Sequence, residues 1–240
     1  MRWTDQVFRY CERGSDPHLW AEPANALTNI AFLIVAGIAA ARMALLRPPG
    51  GAPSDRLALI LVPPLIALVA LIGVGSFLFH LTATRWARLA DVLPIAAFML
   101  LYLVFALRCF AGLSAFKVAL GVAAFVAAVL AVAAFCPPGG SACWNGTIGY
   151  TPALAALMAI GAALHRRSHP AAGGLLVAAA VLLLSMVMRA IDLDACSALS
   201  IAGRPFGSHF LWHLLNAQVL HLLLTAAVNA ARRSDMSGPR

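Results

Sequence analysis

Five polar residues in this chain have the types and spacing of a hydrolytic metal site. They are Ser76 and His80, one helical turn apart, Asp91 a short way downstream, and His209 with His213, again one turn apart. On a helix the four-residue spacing puts both members of each pair on one face, about 5–6 Å apart at Cβ. Three imidazoles with an open fourth position are a ligand set of catalytic zinc. Such an ion polarises a carbonyl oxygen and acidifies bound water. Asp91 is then placed to take the water's proton and pass it to a leaving nitrogen. The Ser76 hydroxyl suits hydrogen bonding to a tetrahedral oxyanion. Taken singly, each residue has a plainer reading: a lone intramembrane histidine bonds a neighbouring helix, and a lone serine allows close helix packing. The combination at one depth favours a metal.

The elements that must carry these residues are membrane helices. Of 240 residues 62% are hydrophobic and only 11% charged, a composition outside that of soluble domains. Seven apolar runs, at about 24–46, 57–79, 89–110, 114–135, 148–166, 171–192 and 207–231, approach the roughly 20 residues that a bilayer core requires. The expected fold is all-α: a seven-transmembrane-helix bundle forming one domain over 1–240, with an arm at 1–23 and a tail at 232–240. Breakers separate the runs at Pro48-Pro49-Gly50-Gly51, Pro137-Pro138-Gly139-Gly140, His169-Pro170 and Gly203-Arg204-Pro205. The charged residues 1–23 hold no apolar run, so no signal peptide is expected and the first segment stays as an anchor. In this topology Ser76, His80, Asp91, His209 and His213 all reach the same leaflet.

The net charge of +8 would suit nucleic acid, but its distribution points to the membrane instead. One set of loops collects ten basic residues, among them Arg42, Arg108, Lys117, Arg166 and Arg167. The other set has seven, with seven of the nine acids. The positive-inside rule puts the N-terminus outside and the C-terminus in the cytosol. Cys11, Cys136, Cys143 and Cys196 all fall on the outer side, where disulfides persist, while Cys109 lies at the inner end of the third run. A Cys136–Cys143 bond would close a short loop and a Cys11–Cys196 bond would tie down the arm, although spacing alone does not fix the connectivity.

Other polar residues read more simply. Arg189 and Asp192, three apart, suggest a structural ion pair, or support for a histidine ligand. His221 suggests packing, His18 a solvated position, and His165 with His169 a headgroup-facing basic patch. Asn25 and Asn29 suit hydrogen bonds to backbone or neighbouring side chains.

Cys11-Glu12, Ala21-Glu22 with Asn25, Gly75-Ser76 with Phe79-His80 and Thr82, Asp91 with Pro94, then Asp192, Cys196 and His209 with Trp212-His213 make a pattern running over nearly the whole chain. In it the chain resembles the alkaline ceramidases, seven-span hydrolases in a wider superfamily that includes adiponectin-receptor-like proteins. The resemblance implies zinc held by His80, His209 and His213, with Ser76 and Asp91 assisting attack on the amide of a ceramide, releasing a sphingoid base and a fatty acid. It also implies a bridge between Cys11 and Cys196, and in some members calcium held by the N-terminal arm. Glu12 and Glu22 match two calcium ligands, but Arg9 and Gly14 replace two others, and calcium wants six to eight oxygens. Arg88 and Val92 also depart from the pattern where a glutamine and an acid are usual, close to the headgroup pocket.

The Ala-rich composition suggests a bacterial inner-membrane protein with its site toward the periplasm. The lipid substrate would enter from the bilayer, and no nucleic-acid partner is expected. Competing readings are a hydrolase of a different acyl lipid, a non-catalytic seven-helix receptor, and a metal transporter. A transporter would gather its ligands at the midplane, whereas here they gather at one end.

Overall fold

The computed structural model describes residues 2–45, 53–136, 141–201 and 203–236. The breakers at 48–51 and 137–140 and the end of the tail lie outside these described residues. The chain is an all-α integral multi-pass membrane protein. Among the described residues, seven helices are long and apolar enough to cross a bilayer: Pro23–Ala44, Leu57–Thr82, Arg85–Phe110, Ala115–Phe135, Cys143–His165, Ala172–Ala190 and His209–Arg232. These agree with the seven apolar runs to within a few residues. The larger differences are at polar ends. Arg85, Trp86 and Arg88 are already helical, and the second span continues past His80 to Thr82. Hydropathy alone stops short of such turns, although interfacial and interior-facing polar side chains are compatible with helix.

The first span is two helices, α1 (Pro23–Thr28) and α2 (Ile30–Ala44), meeting at Asn29. The Asn29 amide donates to the Asn25 carbonyl at 2.7 Å, a side chain entering the helical ladder where the two helices meet. Next come α3 (Pro53–Thr82), which carries Pro63 and Pro64, and α4 (Arg85–Phe105), which runs into a π turn at Ala106–Phe110. Proline inside a membrane helix is tolerated where neighbouring helices satisfy the freed groups. α5 (Ala115–Phe135), two 3-10 turns within Ser141–Tyr150 separated by a non-helical kink at Cys143–Gly146, α6 (Thr151–His165), α7 (Ala172–Ala190) and α8 (His209–Met236) complete the bundle. Gly203 turns a two-residue antiparallel pairing of Ser200–Ile201 with Arg204–Pro205 between α7 and α8.

Helix α3 is central, packing on α2, α4 and α8, while α7 lies between α6 and α8. Val62, Leu65 and Val69 of α3, Leu175 and Ala178 of α7, and Leu224 and Ala227 of α8 form the buried apolar interior. The N-terminal arm covers one end of this bundle. Val7 N–H donates to the Ala83 carbonyl at 2.6 Å, Gln6 pairs with Thr84, and a disulfide joins Cys11 to Cys196. A second disulfide joins Cys136 to Cys143, and Cys109 is free. The C-terminal end of α3, the N-terminal end of α4, the C-terminal end of α7 and the N-terminal end of α8 all lie beneath the arm. Every polar residue singled out as a site candidate belongs to the arm or to one of these four ends.

Candidate active site

His80 sits in the last turn of α3, and His209 and His213 in the first two turns of α8. One potential ligand atom from each falls within 4.8 Å of the others. The ring centroids are 4.7 Å apart for His80–His213 and His209–His213, and 5.2 Å apart for His80–His209. All three are almost wholly buried.

Each ring is held by a different neighbour. Nδ1 of His80 meets Oε2 of the buried Glu22 at 2.5 Å, and Nδ1 of His213 meets the Thr28 hydroxyl at 2.9 Å. Thr28 donates its own proton to the Ala24 carbonyl at 2.7 Å, so it accepts from His213. Both imidazoles therefore carry hydrogen on Nδ1 and leave Nε2 as a lone pair, the usual arrangement behind metal-ligating histidines. His209 is held by stacking on Tyr10, with centroids 3.7 Å apart, and its Nδ1 is buried without a hydrogen bond among the described residues. A nitrogen in that state fits a bond to something other than protein. The three-histidine set thus fits a metal ion.

Ser76 lies one turn before His80 on α3, and its side chain hydrogen-bonds Asp91 at the start of α4. The two helices meet here because residue 75 is glycine: a Cβ at that position would lie 2.0 Å from the Ala90 carbonyl oxygen. Ser76, Asp91, His209 and His213 line one cavity, which continues between the helices to Tyr102 and Leu223. From Asp91 to Ala106, also on its wall, α4 rises roughly 22 Å. The cavity is polar at its head and apolar along its length, the shape of a site for a lipid with one reacting polar group.

Glu12 and Glu22, the two residues that match calcium ligands, both accept hydrogen bonds from protein donors. Glu22 already serves Arg13 Nε, His80 Nδ1 and Asn25 Nδ2, and Glu12 accepts from the backbone N–H groups of Ala24 and Asn25 at 2.7 and 2.8 Å. The Arg13 guanidinium occupies the centre of this arm. It also donates to the carbonyls of Asp16, His18, His80 and Leu81 at 2.7–3.2 Å. Burial pushes the Glu22 carboxyl up, but His80 and Arg13 outweigh it and hold the group below the usual carboxylate range. Burial raises Glu12, against the pull of the two backbone donors.

The expected Arg189–Asp192 ion pair does not form. Asp192 accepts from the backbone N–H groups of Cys11, Ser208 and His209 at 3.0, 2.8 and 2.9 Å, and so caps α8. Unpaired amides at a helix start favour a carboxylate there. The support-for-histidine reading of Asp192 is the better one, acting through the backbone of His209. Sequence reasoning overlooked Tyr10, Arg13 and Thr28. Tyr10 adjoins the bridged Cys11, which is the signal that could have marked it.

The ceramidase family model matches residues 9–237. The chain belongs to the ceramidase family. No curated protein and no solved structure matches it. The match embraces the arm, all seven spans and the histidine cluster, and the family makes the chain an amide-bond hydrolase acting in the membrane.

Proposed function

We propose that this ceramidase-family member is a zinc-dependent amide hydrolase that cleaves a ceramide-like N-acyl sphingolipid to a sphingoid base and a free fatty acid. The observation that carries the reading is the convergence of three buried imidazoles, two of which, His209 and His213, line an apolar cavity that also holds Ser76 and Asp91. Zinc held by His80, His209 and His213 would supply Lewis acidity toward water and the amide carbonyl.

The protein's own residues supply the remaining parts. Asp91 takes a proton from the attacking water and returns it to the leaving nitrogen. Ser76 directs its one hydroxyl proton to the Asp91 carboxylate. Once Asp91 has been protonated, that proton is free to turn toward the oxygen that gains charge. Acid–base function and oxyanion stabilisation are thereby linked through one hydrogen bond. Acyl and sphingoid tails enter from the bilayer between helices, and the apolar cavity walls exclude water from them. The basic-residue bias supports an N-terminus outside and a cytosolic C-terminus, which in a bacterial inner membrane turns the site to the periplasm.

The test is zinc content and fatty-acid release measured on one purified preparation against a panel of N-acyl sphingolipids and other acyl lipids. His213→Ala is expected to lose both metal and turnover. Asp91→Asn is expected to keep most of the zinc and lose about 10²–10⁴-fold in rate. Unchanged turnover in either variant overturns the role assigned to it. Preferential cleavage of a different acyl lipid would move the substrate and keep the chemistry.

A further inference from the structure

Arg189 is a membrane-embedded cation with no carboxylate in ion-pair contact among the described residues. It lies at the C-terminal end of α7 and lines the same cavity as Ser76, Asp91, His209 and His213. Its guanidinium carbon is 5.6, 5.7 and 5.1 Å from the ring centroids of Tyr10, Tyr150 and Trp212. One hydrogen bond goes to the Tyr10 hydroxyl at 3.1 Å, and Nε is buried without a partner. Among the described residues no carboxylate is in ion-pair contact with it: Asp192 accepts from the backbone that opens α8, and Asp91, which lines the same cavity, is not within ion-pair distance. Three aromatic faces offset part of the cost of desolvating a charge, yet a neutral side chain would fill the same cage more cheaply. An unpaired guanidinium, planar and rich in donors, suits a carboxylate.

We infer that Arg189 is the carboxylate-binding residue of the cavity, holding the long-chain fatty acid that amide cleavage releases. The inference rests on the hydrolase reading and adds the fate of the charge. Hydrolysis joins a water oxygen to the acyl carbon and breaks the C–N bond. Both water protons pass to the nitrogen, one by way of Asp91, leaving a carboxylate and an ammonium. The substrate amide is neutral, so this anion arises inside an apolar cavity, and Arg189 is a cation on its wall that no carboxylate among the described residues contacts as an ion pair.

The experiment measures displacement of a fluorescent lipid by hexadecanoate and by hexadecan-1-ol, chains of equal length that differ in charge. Wild type, Arg189→Gln and Arg189→Lys are compared, each zinc-loaded and metal-stripped, because zinc also binds carboxylates. Metal-stripped wild type is expected to prefer hexadecanoate. Arg189→Gln should lose roughly 10-fold or more of that preference, the range of one charge-assisted hydrogen bond, with hexadecanol affinity unchanged. Arg189→Lys should retain much of it. An equal preference in wild type and Arg189→Gln overturns the inference. So does a metal-stripped wild type with no preference, a readout that does not depend on either variant folding. Fatty-acid release, scored separately, tests the hydrolase reading: carboxylate preference without turnover would refute that reading and leave Arg189 as a carboxylate-binding residue without a product to hold.

Discussion

Nδ1 of His80 and Oε2 of Glu22 are 2.5 Å apart, joining the end of α3 to the residue that precedes α1. The contact fixes which imidazole nitrogen faces His209 and His213. Glu22→Gln keeps the shape of the side chain and removes its charge. Loss of a carboxylate behind a metal-ligating histidine typically weakens metal binding about 10–100-fold. Zinc competition with a chromophoric chelator should show a drop of that size, with the helical content unchanged. Equal zinc affinity in the two proteins would show that Glu22 serves the arm alone.

Arg13 gives a second, separable expectation. Its guanidinium joins Glu22 to the carbonyls of Asp16, His18, His80 and Leu81, and supplies in the arm the positive charge a bound cation would bring. Activity and melting temperature should therefore not respond to calcium or to a calcium-selective chelator while zinc is buffered. Arg13→Ala leaves Glu22 buried with less compensation, a change that typically costs about 3–5 kcal/mol. It should lower the melting temperature by several degrees, without rescue by calcium. A calcium-dependent melting temperature in wild type would reverse this account.

The span count and the grouping of three histidines at one end of the bundle were readable from the chain. Apolar run length is set by bilayer thickness, and His80, His209 and His213 sit where consecutive runs turn. What surrounds the histidines was less readable. Arg189 and Asp192 lie three apart, a spacing that suggests a pair; only the fold shows that the amides opening α8 compete for Asp192 and win. Tyr10, Arg13 and Glu22 act over the site because the arm folds back onto α3. That path depends on a cysteine bridge and backbone pairing at Val7 and Ala83, which leave no periodic trace.

Gly75 tests the closeness of α3 and α4. Its backbone faces Ala90 so tightly that any Cβ would strike the carbonyl, and the adjoining residues are Ser76 and Asp91. Gly75→Ala must push the helices apart and lengthen the Ser76–Asp91 hydrogen bond, while His80 keeps its hold on Glu22. Turnover should fall about 100-fold or more, as small misplacements of catalytic groups do, and zinc content should be retained. Gly37 of α2 meets nothing within 4 Å, so Gly37→Ala is the control that should leave turnover alone. Parallel loss of zinc and rate in Gly75→Ala would mean that the metal site, not the Ser76–Asp91 pair, depends on this approach.

The two disulfides should separate arm from loop. Cys11–Cys196 spans 185 residues of sequence and Cys136–Cys143 spans 7. Chain entropy alone would give about 5 and about 2.4 kcal/mol respectively, and the first figure is an upper bound because membrane insertion already confines the spans. Position matters more than loop length here. Cys11 adjoins Tyr10, which stacks on His209 and accepts a hydrogen bond from Arg189, and its own N–H donates to Asp192 at 3.0 Å. Gly207, with φ +61, leaves room for it: a Cβ there would lie 2.6 Å from the Cys11 Cβ. Removing the bridge in Cys11→Ser/Cys196→Ser should free the arm, loosen His209 and lower both zinc affinity and turnover. The Cys136→Ser/Cys143→Ser protein should melt earlier yet turn over at the wild-type rate. Zinc titration, fatty-acid release and melting curves on the two double variants decide the matter. Equal effects on turnover would mean that the bridges act through global stability, and the arm would lose its assigned part in positioning His209.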